Sequence, residues 1–350
     1  MLRQEHIDLI KQELECCQRP IFFFHDDCDG STSYIQLYHH KGEGKGVIIK
    51  AAPLVDVKYA RKVQEYGADK VFILDIAMVD QEFIDALKVP VIWLDHHEPQ
   101  KRLNVKYVNP RNWGENVPPC FMAWQVVGDP KDLWIATVGC VGDWFLPPMQ
   151  AEFQQKYPDL MPQLYDKPED IMFNTPVGEL VRVISFNLKG RTDDALTSVK
   201  VLSRIESPYE ILKQSTPRGN FLWKKYLKVK QGYDAIKAQV IRYVKPDDPF
   251  LIHSYTEDQM AVTKDLANEL TYLYPNKVVI LAREKNGEMK CAMRSGRDGP
   301  ILSKALEKIL PTLPPGNTGG GHEHACGANI MKDDFEEFVR RMREECAAKV

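Results

Sequence analysis

The sequence predicts an α/β fold: a doubly wound parallel sheet with a helical extension, followed by a smaller C-terminal α/β domain. Three observations carry the prediction. Ile21-Phe22-Phe23-Phe24, Val71-Phe72-Ile73-Leu74 and Val91-Ile92-Trp93-Leu94 are short apolar runs with the content of strands buried on both faces. Helical patterns separate them, and this alternation of strand and helix means a parallel sheet. Pro246-Asp247-Asp248-Pro249 then breaks a long helical pattern, and a second set of strand and helix signals follows.

Taken in order, Ile7, Ile10, Leu14 and Cys17 form one stripe of an amphipathic helix closed by Pro20. The first strand ends in His25-Asp26-Asp27-Cys28-Asp29-Gly30, after which Ser31 is placed to cap a helix reaching His40, with Gly42 at its end. His39 and His40 read as surface residues. Residues 47–50 form a short strand, 57–66 a helix stopped by Gly67, and the next strand ends in Asp75. Asp80 is placed to cap a helix over 81–88, the strand after it ends in Asp95-His96-His97, and 104–109 read as an edge strand. Helices are expected over 119–127 and 131–138, the second ending in Gly139-Cys140-Val141-Gly142-Asp143. Residues 151–245 are helical, with the longest pattern over 221–244 and its lysines on a solvated face.

Beyond the break, 250–253 read as a strand and Thr263 caps a helix to Tyr274. Strands over 278–284 and 288–294 flank Asn286-Gly287, a strong hairpin signal. A helix over 301–310 leads to the turn Gly319-Gly320-Gly321-His322, and Asp334 caps a last amphipathic helix. The expected division is 1–205, a helical connector 206–247, and a C-terminal domain 248–350.

The chemistry lies at the strand ends. His25, Asp27 and Asp29 sit at alternate positions, and alternate residues of an extended chain point the same way. Asp75, His96 and His97 end two further strands, where ligands gather in open α/β sheets. Divalent cations want this mixture of carboxylate oxygen and imidazole nitrogen. Helix capping explains a single Asp, such as Asp75, equally well, but it does not explain three histidines. The set is read as a metal site, with Asp143 as a last ligand. In the second domain, consecutive glycines let backbone amides approach an anion closely; with His322 and the basic face of Arg294 they read as a phosphate or carboxylate clamp.

Composition narrows the class. With 46 basic and 49 acidic residues the net charge is -3, which argues against a broad electropositive surface for duplex DNA. A local groove for a single strand remains compatible with that balance. No apolar run is long enough to span a bilayer, and the charged N-terminus lacks a signal-peptide core. Eight scattered cysteines without a CxxC pair fit reduced thiols and a cytoplasmic location.

His25-x-Asp27-x-Asp29, Asp75, Asp95-His96-His97 and Asp143 together resemble the four motifs of the DHH phosphoesterase superfamily. Gly319-Gly320-Gly321-His322 with Gly327 is similar to that superfamily's C-terminal substrate-binding domain. Asp95-His96-His97-Glu98-Pro99, Val108-Asn109-Pro110, and Gly142-Asp143 followed by Leu146-Pro147 resemble the RecJ-like exonucleases, and 350 residues leave no room for the extra nucleic-acid-binding domain of long bacterial members, so the expected likeness is to the compact, archaeal-type ones.

The resemblance implies two divalent ions, manganese by preference and magnesium as the alternative. His25, Asp27 and Asp75 would hold one; Asp29, Asp75, His96 and Asp143 the other. His97 would face substrate as a catalytic group and Asp95 would orient the histidines. Arg294, Gly320, Gly321 and His322 would grip phosphate across an interdomain cleft. The implied activity is a single-strand-specific exonuclease on DNA or RNA releasing 5′-mononucleotides. A phosphodiesterase or phosphatase for small nucleotides (a cyclic dinucleotide, a short oligoribonucleotide, adenosine bisphosphate) is the second reading. A non-catalytic binding protein is the third, and the complete ligand set weighs against it. Expected partners are single-stranded nucleic acid or a small nucleotide and no membrane, with a homodimer and replication or repair proteins as further candidates.

Overall fold

The computed structural model describes residues 1–50 and 54–347; positions 348–350 of the expected C-terminal domain lie outside the described residues. The chain divides into two compact units, Met1–Tyr226 and Leu227–Val350.

The first unit begins with α1 (Gln4–Cys16), β1 (Pro20–His25), α2 (Cys28–Lys41), β2 (Lys45–Ile49) and β3 (Leu54–Val55). It continues through α3 (Ala60–Tyr66), β4 (Lys70–Leu74), β5 (Met78–Val79), α4 (Gln81–Asp85), β6 (Val91–Leu94) and β7 (Lys106–Val108). Five strands form a parallel sheet in the order β2-β1-β4-β6-β7, while β3 and β5 pair separately. Side chains alternate across it, so Ile21, Phe23, Val71, Ile73 and Trp93 join one core on the face of α3 and α4. Phe22 and Phe24 point the other way and stack with Phe72 and with Tyr34 of α2.

Phe24, Leu74, Leu94 and Val108 form one row across four strands. His25, Asp75, Asp95 and Asn109 are therefore each the first residue past that row, side by side at the carboxyl end of the sheet.

Helices follow: α5 (Pro119–Val127), α6 (Leu133–Gly142), α7 (Gln150–Lys156), α8 (Pro168–Asn174), α9 (Pro176–Asn187), α10 (Thr192–Leu202), α11 (Pro208–Leu212) and α12 (Pro217–Arg242). The division between the units falls within α12. Helix α6 runs past its expected end because Gly139 and Gly142 are contact points. A Cβ at Gly139 would lie 2.2 Å from Thr32 Oγ1, and one at Gly142 would lie 2.6 Å from Cys28 Cβ, so the glycines let α6 touch α2.

The second unit holds β8 (Phe250–Tyr255), α13 (Thr263–Leu273), β9 (Val278–Lys285), β10 (Glu288–Arg294), α14 (Leu302–Ile309), β11 (Thr318–His322), β12 (Ala325–Met331) and α15 (Phe335–Ala347). Its sheet has the order β11-β12-β10-β9-β8, antiparallel except for β8 beside β9. Met289, Cys291 and Met293 share the face that packs on α14 and α15.

Several expectations need correction. Helix α2 starts at Cys28, capped by Asp27, whose Oδ1 accepts from the Gly30 amide at 3.0 Å; the Ser31 hydroxyl instead donates back to the Asp27 carbonyl. The Asp80 side chain makes no cap bond to α4, and its backbone carbonyl serves Phe83 and Ile84 instead. That helix stops at Asp85, short of residue 88. Thr263 is the first residue inside α13, not its cap, and its hydroxyl accepts from Tyr255. His39 is no free surface residue: Nδ1 lies 2.7 Å from Asp132 Oδ1 and Nε2 lies 2.7 Å from the Ser203 carbonyl. Lys225 turns inward, its ammonium donating to the carbonyls of Asn187 and Asp194 and to Ser198 Oγ. The glycine turn is an edge strand, β11, paired with β12. Gly321 has φ 146, and a Cβ there would sit 2.5 Å from the Ala325 carbonyl, so only glycine fits.

Candidate metal centre

Three neighbouring strands deliver the site. His25 ends β1, Asp27 caps α2 and Asp29 lies in the first turn of α2. The ligand stretch is thus a strand end followed by a helix start, which corrects the picture of alternation along an extended chain. Asp75 follows β4 with φ 57, a left-handed conformation rare for a residue with a side chain and strained by about 1–2 kcal/mol. Asp95, His96 and His97 follow β6, and Asp143 is the C-cap of α6.

Among the described residues, donor atoms converge in three groups, each within 4.8 Å: His25, Asp27 and Asp75; Asp29, His96 and Asp143; Asp75, His96 and His97. Asp75 and His96 belong to two groups each. His25 Nδ1 is 2.9 Å from Asp27 Oδ2 and 3.2 Å from Asp75 Oδ2. His96 Nε2 is 3.5 Å from Asp75 Oδ1, and its Nδ1 is 3.6 Å from Asp143 Oδ2.

These residues fit divalent ions on two counts. The donor set is carboxylate oxygen and imidazole nitrogen, suited to hard and borderline cations. Asp29 is buried and its Oδ1 accepts from the Cys120 amide at the start of α5 at 2.6 Å; its Oδ2 has no hydrogen-bond partner among the described residues, with His96 Nε2 3.9 Å away. An unpartnered buried carboxylate oxygen is expensive unless a cation meets it. The electrostatics agree: burial, then the charges of Asp75 and Asp143, push Asp29 well above the usual carboxylate range. Burial alone would lower His25 and His96. It is overcome at His25 by Asp27 and Asp75 and at His96 by Asp143, Asp75 and Asp29, so both imidazoles are raised well above the ordinary value.

Asp95 stays out of the donor groups and is fully buried. Its Oδ1 accepts from His97 Nδ1 at 2.8 Å, and its Oδ2 accepts from the His97 amide at 3.2 Å, Tyr107 Oη at 3.1 Å and Asn109 Nδ2 at 3.3 Å. Asn109 also donates to the His97 carbonyl, Arg111 Nε to the His96 carbonyl, and Asn116 Oδ1 lies 3.2 Å from His96 Nδ1. Tyr107, Asn109, Arg111 and Asn116 escaped the sequence reading as supports of the histidines. The only signal was Asn109-Pro110 just after an edge strand.

Arg294, Gly320, Gly321 and His322 belong to the second unit. Ala325 of β12 pairs with Arg294 on one side and His322 on the other, so the two share a row. Arg294 is held by Asn268 Oδ1 at 2.5 Å and by the carbonyls of Met293 and Cys326. A Cβ at Gly320 would meet nothing within 4 Å.

Such a donor set, at the carboxyl ends of a parallel sheet, is of the kind that could hold metal ions for a hydrolase. Residues 21–163 match the model of the DHH family N-terminal domain and 247–348 match the DHHA1 domain. The chain belongs to the DHH phosphoesterase superfamily. No curated protein matches it in sequence. Among solved structures it is similar to RecJ in complex with Mn2+ from Thermus thermophilus, with TM-score 0.69, 16% identity, and 98% of this chain against 54% of that one covered. This chain thus spans about half the length of that relative. An exonuclease RecJ bound to manganese gives TM-score 0.63 and 16% identity, covering 98% of this chain and 94% of that one. A pGpG-specific phosphodiesterase from Vibrio cholerae gives TM-score 0.54 and 14% identity, covering 95% and 100%. The shared fold is RecJ-like.

Proposed function

We propose that the chain is a manganese-dependent phosphodiesterase that removes 5′-mononucleotides from the end of a single polynucleotide strand. The observation that supports it most is the convergence of the donor groups on Asp75 and His96. In this reading His25, Asp27 and Asp75 hold one ion, and Asp29, Asp75, His96 and Asp143 the other. When bound, two divalent ions supply an acidified water and neutralise phosphoryl charge; magnesium is the alternative metal.

The side chains divide the remaining work. Asp95 keeps the Nδ1 proton of His97, which leaves Nε2 to exchange a proton with a phosphoryl or leaving oxygen. Arg294 and His322 bind phosphate, and the open space at Gly320 lets an anion approach the backbone. Residues 1–205 carry the metals, 206–247 connect, and 248–350 bind substrate.

A small-nucleotide substrate is the second reading, favoured by likeness to the pGpG-specific enzyme over that protein's full length. Length dependence separates the two. Labelled single strands from dinucleotides to long oligomers are assayed with Mn2+ beside cyclic dinucleotides and adenosine bisphosphate, with Asp75→Ala as the inactive control. Turnover per affinity that holds as the strand lengthens supports the exonuclease. A collapse beyond a few nucleotides, or a small nucleotide preferred by orders of magnitude, overturns it in favour of the second reading.

A further inference from the structure

We infer that Asp26 and Lys50 form a positioning pair that fixes which nitrogen of His25 faces the metal centre; the inference rests on the two-ion reading above. Asp26 is the acid of the His25–Asp29 stretch that belongs to none of the donor groups. The His25 ring has two ends. Nδ1 faces Asp27 and Asp75, at 2.9 and 3.2 Å, and Nε2 lies 3.6 Å from Asp26 Oδ1. A histidine that gives one nitrogen to a cation carries its proton on the other. A carboxylate beside that proton selects the tautomer, holds the ring plane and raises the ligand's basicity.

Asp26 is itself held from behind. Its Oδ2 lies 3.3 Å from Lys50 Nζ, and that ammonium donates to the carbonyls of Leu188 and Gly190, each at 2.9 Å. Leu188 is the C-cap of α9, and the carbonyl end of a helix is where a cation is favoured. The Asp26 amide donates to Ile49, the residue before Lys50, which ties the two backbones together. The resulting line runs from the end of α9 through Lys50 and Asp26 to His25 Nε2. An ordinary surface ion pair leaves its lysine in solvent; here the Lys50 side chain is only 23% exposed and Asp26 21%.

The test uses the full chain and two probes. Mn2+ titrated calorimetrically reads affinity, and 15N spectra of the histidines in Mg2+-loaded protein read the tautomer. Asp26→Ala should weaken one of the two Mn2+ sites by about tenfold, within the range seen when such supports are lost. Lys50→Met should produce a smaller loss of the same kind. Wild-type His25 should carry its proton on Nε2, and Asp26→Ala should mix the tautomers. In a His25→Ala background, Asp26→Ala should cost no further affinity. Unchanged Mn2+ affinity in Asp26→Ala, or the same loss without His25, overturns the inference. So does a fall in metal-free melting temperature with the tautomer untouched, because that marks a purely structural pair. Wild-type protein that binds no Mn2+ overturns the two-ion reading itself, a separate result from failure of the pair.

Discussion

On the proposed ligand assignment, a cation entering the centre competes with protons. His25 and His96 are raised well above the ordinary imidazole value by their carboxylate neighbours, against the effect of burial. Asp29 is raised by burial and by Asp75 and Asp143. Metal ligands bind as neutral imidazole and as carboxylate, so each protonated group must release its proton on binding. The sign follows: raising the pH through these elevated values empties the sites of protons, and Mn2+ affinity climbs. Calorimetric titration on either side of neutrality, in buffers of different ionisation heat, should detect net proton release that shrinks as the pH rises. A pH-independent affinity with no proton release would contradict the assigned donors. The conformation of Asp75 points the same way, since strain at a left-handed carboxylate persists only where the surroundings hold it.

At the scale of elements, α2 is the hinge between site and scaffold: its first turn carries Asp29 and its last turn carries His39. Both nitrogens of His39 face acceptors, Asp132 Oδ1 and the Ser203 carbonyl, so only the doubly protonated ring satisfies both. Burial lowers its pKa, but the Asp132 hydrogen bond and charge dominate, and the folded-state value is raised. The stabilisation is therefore complete below the ordinary histidine value and is lost as the pH rises through the raised one. Urea midpoints of wild type and His39→Gln should differ most in mild acid and converge as the pH rises; a constant gap would refute the clamp. Such ties were invisible in the sequence because their partners lie far away along the chain. What was legible were elements whose pattern is local. The Phe-rich and Val/Ile-rich strands announced themselves by burial on both faces, and α5 and β10 match the expected 119–127 and 288–294. Where two residues compete for one role, the sequence cannot choose: Asp27 and Ser31 are both good caps, and Asp27 takes the cap while the Ser31 hydroxyl donates to its carbonyl. The glycine strand β11 has no side-chain alternation to read, and only pairing with β12 makes it a strand. Likewise Trp144, with φ 59, occupies the position after Asp143 where a helix normally ends in glycine.

Across the whole molecule, the division of the chain into two units puts the proposed metal ligands in one unit only, and a probe confined to that unit should read their binding. Each unit has a hydrophobic core of its own, one around Phe23, Ile73 and Trp93 and the other around Ile280, Met293 and Phe338. Every assigned metal ligand lies in the first unit. So do all six tryptophans, at 93, 113, 124, 134, 144 and 223, which makes indole fluorescence a reporter of that unit alone. A ligand that binds only the folded state adds about 2.7 kcal/mol at a hundredfold excess over its Kd. For a unit of this size that corresponds to a rise of roughly 5–10 °C in Tm per ion. Mn2+ should therefore move the fluorescence transition upward by that order, and chelation should return it. Asp75→Ala should abolish most of the shift, because Asp75 serves two donor groups. The second unit's unfolding, followed by circular dichroism after the fluorescence change is subtracted, should stay where it was. A shift confined to the second transition would mean that the ions bind outside the strand-end centre, and no shift would mean that they do not bind the folded protein.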